Sequence, residues 1–285
     1  MPEPIPDVDP DLLQDGGLRL VRHGPMLAVW LDRPEVRNAQ TPATWRALAA
    51  VGDAVLGDPA AAAGSLPAEP VRVVVLAGAG ESFSAGIDRA LLTGSAAGEP
   101  GALPSSLAEL SADHLDEVLA QYQAAFTWLA DPRVLSVAVV QGHAVGAGFQ
   151  LALACDLRVL ADDAQLAMRE VSLGLVPDLT GTGPLVQAVG YPRALELCVT
   201  GRWVAAREAV RLGLATLSVP RDQLWDTVTD LVAALTEPPL GAVQEVKALL
   251  LGASSRTPQQ QHTRERQAQA ARITALTSAG DDHVK

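Results

Sequence analysis

Two short stretches of small residues could do chemistry. Phe83-Ser84-Ala85-Gly86-Ile87-Asp88 and Val145-Gly146-Ala147-Gly148-Phe149-Gln150 each follow an apolar run and precede a helical pattern. Small residues let a ligand approach the backbone, and the first turn of a helix leaves N–H donors unpaired at the positive end of its dipole. Two such donors converging on one oxygen form an oxyanion hole. The plainer alternative is that small residues simply permit tight strand-to-helix turns. One such turn would leave the two readings level; two of them favour a ligand.

Other chemistries lack their residues. Gly78-Ala79-Gly80 follows a buried strand, but position 83 is Phe where a dinucleotide fingerprint needs its third glycine. There is no G-x-S-x-G elbow, H-E-x-x-H or P-loop. The histidines (His23, His114, His143, His262, His283) are scattered without ligand spacing, so no metal is expected. His143 lies near the second turn with no obvious partner. Cys155 and Cys198 sit in apolar runs and read as buried free thiols of a reducing compartment.

The elements that must position the two turns follow from pattern. Residues 1–16 read as an irregular lead-in. Leu18–Asp32 reads as two strands turned at His23-Gly24-Pro25, and Thr41 as the N-cap of a helix over Pro42–Val55. Val71–Leu76 and Val134–Val140 are continuous apolar runs, as in strands covered on both faces. Loops are expected over 57–70 and 93–106, and a long amphipathic helix over 106–129. After Gly142–Cys155, a small-residue turn running into an apolar helix, come short strands over 157–160 and 164–168. From Pro184 only helices are expected: 184–189, 192–199, 204–212, 221–236, 240–251 and 257–278. This order describes an α/β core over 17–200 and a helical subdomain over 201–285.

Composition narrows the partners. The chain has 285 residues, 48% hydrophobic and 19% charged, too apolar for disorder. Its formal net charge of −12 argues against a general nucleic-acid binder and gives no pull toward anionic membranes. The acidic, Pro-rich start is not a secretory signal, and no apolar run is long enough to span a bilayer. A cytoplasmic globular protein is expected. Against so acidic a background, arginines close to either turn are informative.

Four motifs in register add a family. Leu31-Asp32-Arg33-Pro34-Glu35-Val36-Arg37-Asn38-Ala39, then Val73–Gly80 leading into Phe83–Asp88, then Gln141–Gly148 ending in Ala154-Cys155-Asp156, then Glu170-Val171-Ser172-Leu173-Gly174-Leu175-Val176-Pro177 resemble the crotonase superfamily, the enoyl-CoA hydratase/isomerase family, over about residues 18–252. The resemblance implies a spiral of ββα units with a C-terminal helical part that trimerises, often as a dimer of trimers. It implies that the N–H groups of Ile87 and Ala147 hold the thioester oxygen of an acyl-CoA. Coenzyme A is then part of the substrate, and no separate cofactor is expected. Val36, Arg37, Ala39, Ser84, Ala85, Ile87, Asp88 and Arg89 would wrap the CoA, with Arg37 and Arg89 on its phosphates and Lys247 a weaker candidate. Residues 91–130 would line the acyl pocket. Ala147 departs from the usual glycine; its donor survives while its methyl narrows the approach.

The carboxylates bear on the reaction. Hydratases that the sequence resembles use two glutamates, and the first position here is Gln150, which can hold a water but cannot take its proton. Glu170 keeps the second. Moving a double bond from Δ3 to Δ2 needs one carboxylate, so isomerisation with Glu170 as base is the leading expectation. Asp178 stands where hydratases usually carry glycine, as in dienoyl-CoA isomerases and haloaroyl-CoA dehalogenases, and could be a second acid, a nucleophile or a loop cap. Hydration despite Gln150, and acyl-CoA binding without catalysis, are the alternatives.

Overall fold

The computed structural model describes residues 5–57, 70–91 and 110–281. β1 (Leu18–His23) and β2 (Met26–Leu31) form the expected hairpin, closed at Gly24 with φ 53°. β3 (Val73–Gly78), β4 (Leu135–Val140), β6 (Leu157–Ala161) and β9 (Leu217–Val219) continue from β2 in parallel, giving the order β1-β2-β3-β4-β6-β9. β5 (His143–Val145), β7 (Gln165–Ala167) and β8 (Val204–Ala205) make a second, small sheet.

The apolar runs of β3 and β4 are continuous because both faces are covered. Val74, Leu76, Ala138 and Val140 enter the main core with Trp45, Leu48 and Val51 of α2 (Pro42–Leu56). Val73, Val75, Val137 and Val139 face the other way, onto Leu224, Val228 and Val232 of α8 (Leu224–Thr236). Residues two apart on a strand share a face, so one run serves two layers.

Local capping sets the helices. The Thr41 hydroxyl accepts from Thr44 N, the Thr44 hydroxyl accepts from Thr41 N, and Pro42 opens α2 as expected. α3 spans Ala112–Thr127 behind a Ser111 cap, shorter than the helix expected over 106–129; Trp128–Ala130 tighten into a 3₁₀ turn. Of the expected loops, 58–69 and 93–106 lie outside the described residues, as do 106–109 of that helix.

Two expectations are corrected. Residues 10–16 form a helix, α1 (Pro10–Gly16), rather than an irregular lead-in. The Asp9 carboxylate caps it and Gly17, at φ 63°, closes it. Seven residues are too few to display helical periodicity. The chain after Pro184 is also not purely helical. β8 joins the small sheet, and β9 pairs with β6 at the edge of the large one, so the chain returns to the main sheet beyond residue 200. Strands of two and three residues carry no readable alternation.

Between and after these lie α4 (Ala147–Ala154), α5 (Thr182–Val189), α6 (Tyr191–Thr200), α7 (Ala206–Leu212), α9 (Leu240–Leu251) and α10 (Pro258–Asp281). Among the described residues, no helix is long and apolar enough to cross a membrane.

Candidate active site

The two small-residue turns meet. Ser84 N donates to His143 O at 2.9 Å and Val145 N to Ser84 O at 3.0 Å, a short parallel bridge that lays the first turn along β5. Gly86, at φ 88°, makes the contact possible: a Cβ there would lie 2.4 Å from Val145 O and 3.6 Å from Ala147 N. Ala147 is the first residue of α4, so its N–H has no acceptor one turn back in the helix. Ile87 N–H is flanked by Gln40 N donating to Gly86 O and Asp88 N donating to Gln40 O, and takes no part in either bond.

Both turns open on a cavity of about 740 Å³, lined by Arg37, Ala85, Ile87, Arg89, Ala147, Gln150, Glu170 and Asp178 among others. Its apolar wall includes Trp45, Leu91, Leu115, Leu119, Tyr122 and Leu179, four of them within the stretch expected to line an acyl pocket.

Glu170 opens a 3₁₀ turn and is 9% exposed. Its Oε1 accepts from Gln150 Nε2 at 2.6 Å, while its buried Oε2 has no hydrogen-bond partner. Burial pushes its carboxyl above the usual glutamate range; nearby N–H donors, Gln150 included, oppose this, and Asp178 adds to it. Gly146 lets the carboxyl sit against the turn, since a Cβ there would lie 3.3 Å from Oε1.

Gln150 is buried and engaged at both ends of its amide. Oε1 accepts from Leu179 N at 2.9 Å and Gly181 N at 3.3 Å. Two donors on one oxygen fix the amide's orientation, so the group facing Glu170 must be the NH₂. Thr180 between them has φ 67°, an uncommon conformation for a β-branched residue, which turns both neighbouring N–H groups onto Gln150. Asp178 leads into this loop, which Gln123 Nε2 steadies at Asp178 O from α3 at 2.6 Å. Burial pushes the Asp178 carboxyl up, and its own backbone N–H pulls it partly back.

The expected CoA-wrapping set divides. Arg37, Ala85, Ile87 and Arg89 line the cavity, whereas Val36, Ala39, Ser84 and Asp88 are not among its lining residues. Val36 is exposed, and Ala39 O accepts from Arg33 Nη1 at 2.9 Å. Asp88 pairs with Arg33 at 3.2 Å, and the Ser84 hydroxyl donates to Asn38 O at 2.8 Å. These groups shape the segment that presents Arg37. Arg37 and Asn38 are both left-handed, at φ 52° and 55°, a costly pair held by the Asn38 side chain. That amide donates to Ala79 O and Ser82 O and accepts from Arg33 N.

Lys247 is not available to a phosphate. It is buried, and its Nζ donates to Leu129 O, Val134 O and Asp156 Oδ2, tying α9 to the foot of β4. His143 finds a partner that its sequence neighbourhood concealed: Nδ1 lies 3.3 Å from the Ser82 hydroxyl, with the ring edge-on to Trp203. Gln40 and Trp45 are not expected at the site from sequence, because they belong to no motif with chemistry of its own. Both cysteines are free; burial pushes the Cys155 thiol up to about 12. Among the described residues no three His, Cys, Asp or Glu side chains group as metal ligands would.

Comparisons with known proteins bear on this site. A family profile described as "Enoyl-CoA hydratase/isomerase" matches residues 23–278. A Mycobacterium bovis protein named "Probable enoyl-CoA hydratase" is 30% identical over 197 residues, covering 69% of this chain and 66% of its own length, just under two thirds. Carnitinyl-CoA dehydratase of Salmonella arizonae is 32% identical over 234 residues, 81% of this chain and 79% of its own. A Thermobifida fusca protein solved in complex with CoA superposes with a TM-score of 0.83 at 42% identity, covering 95% of this chain and 98% of its own.

Proposed function

This chain belongs to the enoyl-CoA hydratase/isomerase family of enzymes and has its crotonase-like α/β fold, and we propose that it shifts the double bond of an enoyl-CoA through a thioester enolate, with Glu170 as the base. The observation that carries this reading is the state of Glu170: one oxygen is tied to Gln150, and the other is buried without a partner in the wall of the cavity. In the proposed step Oε2 takes the Cα proton of a Δ3-enoyl thioester. The electron pair moves onto the thioester oxygen, which accepts from the N–H groups of Ile87 and Ala147. Return of the proton at Cγ gives the conjugated Δ2 product. Each donor contributes about 2.7–4 kcal/mol to such a barrier, and a positioned base about 10²–10⁴-fold.

The CoA moiety would lie along Arg37 and Arg89, in keeping with the CoA bound by the Thermobifida fusca relative. Coenzyme A enters as part of the substrate, and the chemistry draws on no separate cofactor. Homotrimers, or dimers of trimers, remain part of the proposal. They would cover the exposed stripe Tyr191, Leu195 and Val199, spaced by fours on α6. Cytoplasmic placement also stays with it, in keeping with two free thiols.

Hydration of a Δ2-enoyl-CoA is the second reading, favoured by the names of the relatives and by Asp178, a second carboxyl in the same cavity. It must do without Gln150 as the water's acceptor, because Gln150 Oε1 already takes two backbone donors. The deciding measurement follows conjugated-thioester absorbance with purified protein on paired Δ2- and Δ3-enoyl-CoA series. Absorbance gained from the Δ3 series supports isomerisation; absorbance lost from the Δ2 series, with 3-hydroxyacyl-CoA found by mass, overturns it in favour of hydration. Asp178→Asn separates the two further, by lowering hydration far more than isomerisation.

A further inference from the structure

Behind the first oxyanion turn lies a chain of buried polar groups that the reaction itself does not use. Trp45 Nε1 donates to Gln40 Oε1 at 2.8 Å, and Gln40 Nε2 donates to the Ser84 hydroxyl at 3.1 Å. That hydroxyl donates to Asn38 O at 2.8 Å and accepts from Gly86 N at 3.2 Å. Gln40 and Ser84 are fully buried, with Asn38 and Trp45 nearly so.

The direction of every bond is forced. An indole N–H can only donate, so Gln40 must turn its oxygen to Trp45 and its NH₂ to Ser84. The Ser84 oxygen then accepts from Gln40 and from Gly86 N, leaving its one hydrogen for Asn38 O. No member can rotate without orphaning another at a buried site, where an unmet group is costly.

Gln40 also holds the turn through its backbone. Its N–H donates to Gly86 O at 2.7 Å and its carbonyl accepts from Asp88 N at 2.8 Å, bracketing Ile87 on both sides. The side chain fixes Gly86 N by way of Ser84, and the main chain fixes the peptide groups around Ile87.

We propose that Gln40 is a positioning residue for the oxyanion hole, setting where the Ile87 N–H points, with Trp45 as its anchor in the cavity wall. This rests on the reading above that Ile87 N–H meets the thioester oxygen. Because Trp45 lines the cavity, the chain runs from the acyl wall to the turn that would hold the oxygen.

The test uses Gln40→Met, which keeps a straight apolar side chain, and Trp45→Phe, which keeps a ring but removes the donor. The probe is acetoacetyl-CoA, whose enolate absorbs in the near ultraviolet where its keto form does not; no turnover is involved. The unaltered protein is expected to raise the bound enolate fraction. Gln40→Met should cut that signal, and kcat on the best enoyl-CoA, by about 10- to 100-fold. Affinity for CoA alone should stay within about 3-fold. Trp45→Phe should show the same split at roughly 3- to 10-fold; as the milder change it decides the matter if Gln40→Met does not fold.

Equal losses of CoA affinity and enolate signal would overturn the proposal, as would no change in either. Absence of an enolate signal in the unaltered protein would overturn it together with the oxyanion hole. If the enolate signal behaves as expected while no enoyl-CoA turns over, the isomerase reading fails and the role of Gln40 stands.

Discussion

Gln150 and Glu170 share a hydrogen bond of 2.6 Å in which the amide is the donor. Two backbone N–H groups on the other end of the amide enforce that direction. A residue that removes the family's usual first acid therefore supports the remaining carboxylate. It favours the charged form of Glu170 against burial and leaves Oε2 as the oxygen free to take a proton.

Glu170→Gln keeps the shape and removes the proposed base. Turnover should fall by about 10²–10⁴-fold while acyl-CoA affinity changes little. Steady-state rates and calorimetric titration with a substrate analogue measure the two quantities separately.

The same variant should be more heat-stable at neutral pH. A carboxyl whose folded pKa is raised favours the folded state most when protonated, below the pKa of an unfolded glutamate. That contribution is lost as pH rises through the raised folded value. The gain in Tm from Glu170→Gln should therefore be large at about pH 8 and shrink toward about pH 4. A gain independent of pH would contradict the cause assigned to the shift.

Gln150→Glu sets a second carboxyl against the first. Two such groups in hydrogen-bond contact cannot both ionise freely, so the pair should titrate in two separated steps. The acid limb of kcat/KM should move to higher pH, and 3-hydroxyacyl-CoA should rise among the products. An unmoved limb would mean that the two side chains do not face each other in solution.

Gly86→Ala adds a methyl 2.4 Å from Val145 O at a residue with φ 88°. The two turns must part, which should lower kcat by about 10²–10³-fold, as removal of one oxyanion donor does. Affinity for CoA alone, measured by titration, should survive far better.

Lys247→Met should act on stability instead. It removes the cation paired with Asp156 and the donor to Val134 O, while Ser136 still serves Asp156 Oδ2 and Leu129 O, at a cost of about 1–3 kcal/mol by denaturant titration. KM should be unchanged at temperatures where the variant is folded. A raised KM for acyl-CoA would restore Lys247 to the phosphate site.

What the sequence made legible were features written locally. The apolar runs of β3 and β4, the Thr41-Pro42 start of α2 and the two small-residue turns are each carried by adjacent residues. Lys247 reads as a weaker phosphate candidate because its three acceptors come from residues 129, 134 and 156, far away in the chain. β9 is three residues long and becomes a strand only by pairing with β6. Gln40 follows a recognisable motif, yet its importance depends on Trp45 and Ser84, one on a helix and one on a distant turn. Short elements and long-range polar partners leave no periodicity to read.

The bridge between Ser84 and Ala144 makes the gap between the two turns a ruler of main chain. The Ser84 hydroxyl behind it is committed to Gln40, Asn38 and Gly86, while the side chains of Gln150, Glu170 and Asp178 take no part in the bridge. On the proposed reading, where the oxygen is held and which proton moves would thus be set by separate parts of the chain. Mutation can rewrite the second without erasing the first, and new reactions can arise on an electrostatic frame that stays in place.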